Sequence, residues 1–128
     1  AALLNMMRDA LPAGPSTPAA GAGWRMLVDA ASARYRAAGR FAYHFARGKL
    51  TRDPVFRALV ERRLLVDGRT VDIGCGQALL GSLLVGLGAA GVVRASHYHG
   101  IELMARDVAR ASAALAGAPL AHRVVQAD

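Results

Sequence analysis

The stretch VDIGCGQALLG, residues 71–81, sets a carboxylate, Asp72, just ahead of Gly74, Cys75 and Gly76. If residues 71–73 form a buried strand and a helix follows from Ala78, the Gly-Cys-Gly segment is a tight turn whose backbone a ligand can approach closely. Charge and spacing narrow the choice of ligand. A dinucleotide turn reads G-x-G-x-x-G, but Leu79 stands where the third glycine belongs. Asp72 would also lie near the pyrophosphate, and like charges at short range in a partly dry cleft are costly. A P-loop requires Gly-Lys-Ser/Thr after the turn, and that triplet does not follow. A cationic ligand reverses the sign of the Asp72 contribution.

The elements that must position this turn alternate. Residues 70–73 read as a strand, 78–87 as a helix, 98–103 as a second strand, 104–116 as a second helix and 123–126 as a third strand. Such alternation implies an α/β fold with parallel strands joined by helical crossovers. Ligands of these sheets bind at the carboxyl ends of the strands. Three positions fall there: the glycine turn, Glu102 and Asp128.

Upstream the pattern is helical. Trp24, Leu27, Val28, Ala31 and Tyr35 recur on one helix face, which is expected to end near Gly39, with another turn or two of helix over residues 41–47. Asp53 followed by Pro54 is a helix start signal, since the carboxylate can cap free N–H groups and proline fits the first helical position. In that helix Val55, Leu59 and Val60 are expected to face inward, and Arg57, Arg62 and Arg63 outward. Residues 66–68 read as a turn. Residues 1–10 could form a short amphipathic helix through Leu3, Leu4, Met7 and Leu11, and the Pro- and Gly-rich run after it reads as an arm. The organisation expected is a flexible arm over residues 1–23, a helical cap over 24–66 and the α/β part over 67–128.

Taken together, VDIGCGQA, HGIELMARDVARA and RVVQAD resemble the first three strand ends of class I S-adenosylmethionine-dependent methyltransferases. The resemblance covers residues 70–128 and implies a Rossmann-like sheet of which this chain supplies the first three strands. It implies S-adenosyl-L-methionine as cofactor, held by Asp72, Gly74, Cys75, Gly76, Ala78, Glu102, Leu103 and Asp128. Asp72 then suits the cofactor's sulfonium and α-ammonium charges, Glu102 the ribose hydroxyls, and Asp128 the adenine amino group. Ala78 stands where the family usually has glycine, which alanine can replace if its φ is negative. The family's substrate-binding and catalytic residues largely follow the fourth strand, so no catalytic residue is assigned, and the sequence is expected to be part of a longer protein or to have a partner covering the first strand. The activity implied is methyl transfer to a small-molecule acceptor, with the N-terminal helices covering the cleft. The alternatives are a nucleic-acid methyltransferase and a non-catalytic cofactor-binding or interaction domain.

Composition bounds these readings. A chain of 128 residues, 54% hydrophobic, can bury a core. The net charge of +7 arises between Trp24 and Arg69, where eleven basic residues meet four acidic ones. Such a surface could attract nucleic acid, an anionic lipid surface or an acidic substrate, or could be a solvated helix face. The single cysteine cannot form an internal disulfide, which fits a reducing cytoplasm. The longest apolar run, residues 78–93, is too short for the ~20 residues that span a bilayer. His97 and His99 would share one side of a strand, but without a third ligand nearby the reading is a surface rather than a metal site. His44, beside Tyr43 and Phe45, reads as packed in its helix rather than as part of a substrate lid.

Overall fold

The computed structural model describes residues 18–128. The amphipathic helix expected over residues 1–10 lies outside the described residues. The first helix, α1 (Pro18–Ala33), begins inside the stretch expected to be an arm. Proline is tolerated in a first helical turn, and the alanines after it are strong helix formers, so this run continues the helix back from Trp24. A 3-10 segment (Arg34–Ala38) follows, closed by Gly39 at φ 105°. Helix α2 (Arg40–Arg52) is much longer than the turn or two expected. Its core face consists of Ala42, Ala46 and Leu50, all fully buried, and alanine at four-residue spacing is a weak hydrophobic signal.

Helix α3 (Pro54–Glu61) starts as its sequence predicts, with Asp53 Oδ1 accepting from the Val55 N–H at 3.0 Å. Val55, however, is exposed. Val60 packs against the core as expected, and Phe56 joins it there in place of Val55. Strand β1 (Gly68–Ile73), helix α4 (Leu79–Ala89), strand β2 (Ala95–Glu102), helix α5 (Ala105–Leu115) and strand β3 (Ala121–Gln126) complete the chain. Each strand starts two or three residues earlier than the periodicity suggests.

The sheet is parallel throughout, in the order β1-β2-β3, with Asp72 level with Gly100 and Glu102 with Gln126. This is the expected α/β architecture, a partial Rossmann-like sheet preceded by helices. Helices α4 and α5 pack on one face, where Leu84, Leu87, Ala111 and Leu115 surround Tyr98. The other face carries Val71 and Ile73, which are 62% and 82% exposed. Parallel sheets are normally covered on both faces, and among the described residues no helix covers this one. No helix among them is long and apolar enough to cross a membrane.

A helix that is apolar all round must be covered all round. Helix α4, LLGSLLVGLGA, has no charged residue; Leu84 and Leu87 face the sheet, while Leu79 and Leu83 join Trp24, Val28, Ala31 and Leu50 of the N-terminal helices. The Tyr35 hydroxyl ties this second layer to the glycine turn. It donates to the Gln77 carbonyl at 2.7 Å and accepts from Ser82 Oγ at 3.0 Å, all three groups being buried. Arg34 Nε adds a bond to the Ala114 carbonyl at 2.9 Å. Tyr35→Phe leaves the Gln77 carbonyl without its donor in a dry site and is expected to cost about 1–3 kcal/mol in urea unfolding. A change within about 0.5 kcal/mol, the range of ordinary surface substitutions, would show that the bond does not secure the cap.

Candidate functional site

The site lies where β1 and β2 end. Strand β1 runs straight into the glycine turn, and the Gly74 and Cys75 N–H groups both donate to the Ile101 carbonyl, at 2.8 and 3.1 Å. That shared acceptor locks the turn onto the end of β2, one residue before Glu102. Gly74 and Gly76 have φ of 72° and 55°, and a Cβ built at either would meet nothing within 4 Å. Glycine is therefore demanded by backbone conformation, and the space in front of the turn is open to a ligand. Ala78, the next turn position, has φ 62°. The expectation that alanine serves here at negative φ is thus overturned, and Ala78 sits in a left-handed conformation that costs an L-residue roughly 1–2 kcal/mol. Its fully buried methyl, packed with Cys75, Leu84 and Tyr98, offsets part of that cost.

Asp72 points to the helical side of the sheet, half-buried, and accepts a 2.6 Å hydrogen bond from the Tyr98 hydroxyl on Oδ2. Burial raises its pKa above the ordinary carboxylate value, Tyr98 pulls it down, and the charge of Glu102 raises it further. The two strand-end carboxylates therefore share one field, a region of negative potential beside open backbone. Cys75 feels both charges. Burial, then Asp72, then Glu102 push its thiol up to about 11, so at neutral pH it is a protonated packing group rather than a nucleophile. A Cβ on Gly100 would stand only 2.7 Å from its Sγ, so glycine there leaves room for the thiol.

The remaining expected residues occupy the same sheet end. Glu102 is half-buried and ends β2, with its carbonyl accepting from the Ala127 N–H at 3.0 Å. Leu103 and Met104 are exposed apolar residues beside it, and Gln126 Nε2 donates to the Leu103 carbonyl at 3.0 Å. Asp128 lies just beyond β3 and is exposed, without a side-chain hydrogen bond among the described residues. Asp72, Cys75 and Glu102 thus form one electrostatic unit, and Asp128 shares only their end of the sheet.

Sequence reasoning passed over Tyr98 and Tyr35. The signal for Tyr98 was available: an aromatic residue on the inward parity of β2, two before a glycine level with Asp72. Tyr35 was read as one member of a helix face, and its long-range bonds have no local signature. His97 and His99 share the uncovered side of the sheet, and His99 Nε2 is buried there without a partner. Among the described residues no group of three or more His, Cys, Asp or Glu is placed to hold a metal ion. His44 is exposed, its ring edge-on to Tyr43 at 5.1 Å, contrary to the packed position expected.

Of the basic residues, Arg34, Arg47, Lys49 and Arg57 are engaged within the chain by a backbone carbonyl, Asp29, Asp53 and Glu61 respectively. No protein-family model matches the chain, and no curated protein matches it either.

The Cys75 environment makes a chemical prediction. At pH 8 iodoacetamide should alkylate Cys75 in the native protein at least about tenfold more slowly than free cysteine, with the rate still climbing above pH 10. Labelling as fast as free thiol would contradict a protonated, enclosed Cys75.

Proposed function

We propose that this chain binds S-adenosyl-L-methionine and forms the cofactor-binding part of a methyltransferase acting on a small-molecule acceptor. The observation that carries the reading is the pairing of Asp72 and Glu102 beside the open glycine turn. An anionic nucleotide would add a third negative group to that field, whereas a cationic ligand relieves it. When bound, the cofactor supplies an electrophilic methyl group on sulfur. The chain's own contribution is alignment and electrostatics.

Each residue has a chemical task in this reading. The backbone at Gly74 and Gly76 allows close approach. Asp72 faces the positive end of the cofactor, which suits a carboxylate already short of solvent. Glu102 accepts hydrogen bonds from the two ribose hydroxyls. Exposed Leu103 and Met104 offer apolar surface for the purine, whose amino group lies toward Asp128.

Calorimetry with S-adenosylhomocysteine tests the ribose role. Glu102→Ala should weaken binding tenfold or more, about 1.4 kcal/mol. Affinity unchanged by the substitution would remove Glu102 from the site.

A further inference from the structure

We propose that Tyr98 is a positioning residue for Asp72, holding one carboxylate oxygen so that the other faces the cationic end of the ligand, and thereby setting the pH range over which the ligand binds. The proposal deepens the cofactor reading and rests on it.

The geometry is specific. Tyr98 lies on the central strand, level with Thr70, and its fully buried ring must lean along the strand to reach Asp72 on the neighbouring strand. Two glycines make that path. A Cβ on Gly81 of α4 would stand 2.9 Å from Tyr98 Cε1, and one on Gly100 would stand 3.2 Å from the same atom. The ring is therefore clamped between α4 and β2, with little freedom to move its hydroxyl. The 2.6 Å bond to Asp72 Oδ2 follows from this slot rather than from a flexible surface contact. Among the described residues Oδ1 has no hydrogen-bond partner, and it is the oxygen left for a ligand.

The groups that face Asp72 are few. Glu102 and Tyr98 come from β2, Cys75 from the turn, and Tyr35 from the 3-10 segment. Cys75 and Tyr35 are held neutral by burial at ordinary pH. Burial and Glu102 both favour the protonated acid, and Tyr98 alone among these opposes them by donating to the ionised form. The sign follows. Burial and then Glu102 hold the Asp72 pKa above its ordinary value, so affinity for a cation is lost as pH falls through that raised value. Removing the Tyr98 hydroxyl moves the loss to still higher pH.

The test combines two measurements on the whole chain. Carbon-13 NMR titration of the Asp72 carboxyl and the Tyr98 Cζ in the unsubstituted protein should give one common midpoint, and Tyr98→Phe should raise the Asp72 midpoint. Calorimetric titration with S-adenosylhomocysteine from pH 5 to 8 should show the acid loss of affinity displaced upward by the same amount, with the Tyr98→Phe defect fivefold or more at low pH and shrinking toward pH 8. A role confined to packing would instead lower affinity by one factor at every pH, and that result overturns the proposal. A Tyr98 Cζ that does not sense Asp72 titration overturns it without any substitution. If the unsubstituted protein binds no S-adenosylhomocysteine at any pH, the cofactor reading fails, while equal Asp72 midpoints with binding intact sink the positioning role alone.

Discussion

Helix α4 has no charged face to turn to solvent. Its eleven residues include no charge, and it is therefore stable only when one face meets the sheet and the other meets a second layer. The N-terminal helices supply that layer, and their packing is part of the fold rather than an appendage to it. Trp24, Val28 and Ala31 of α1 with Ala46 and Leu50 of α2 close the outer face, while Tyr35 anchors the layer to Gln77 at the glycine turn. The position of the turn is thus held from three directions: β1 leading in, Ile101 beneath it, and Tyr35 above the start of α4.

A turn held this firmly can carry charge that would otherwise be resolved by movement. Burial makes Asp72 harder to ionise, and the charge of Glu102 adds to the effect. For the empty protein this is a destabilising arrangement at neutral pH: an acid whose pKa is raised in the folded state loses stability as pH rises through that value. Strained and repulsive groups of this kind concentrate at functional sites, where a ligand supplies the missing opposite charge. The left-handed Ala78 adjoining the turn is a second local cost in the same few residues. Both costs fall at the open end of the sheet.

Strand and helix order was legible because the chain changes period at Gly68, and because Asp53-Pro54 is an unambiguous start. Core faces built from alanine were not legible. Ala42 and Ala46 carry little hydrophobic signal, yet they are fully buried where helices come close. On α3 Val60 faces the core as its spacing suggests, but Val55 and Phe56 are adjacent, and pattern alone did not show which of the two would. The placement of Asp72 and Glu102 at neighbouring strand ends was legible from residue order, since strand parity and turn chemistry are local. The Tyr98 to Asp72 bond depends on two glycines, Gly81 and Gly100, whose value is the space they leave rather than the turns they permit. Space of that kind exists only between elements, and one-dimensional spacing does not record it.

The proposed seat of a positively charged adenosyl ligand is the glycine turn beside Asp72 and Glu102, and amide NMR of the nitrogen-15-labelled chain titrated with S-adenosyl-L-methionine would locate it. Saturable shifts are predicted at residues 74–78 and 102–104, with the uncovered sheet face at Val71 and His97 unmoved. An unchanged spectrum, or shifts confined to that uncovered face, would contradict it.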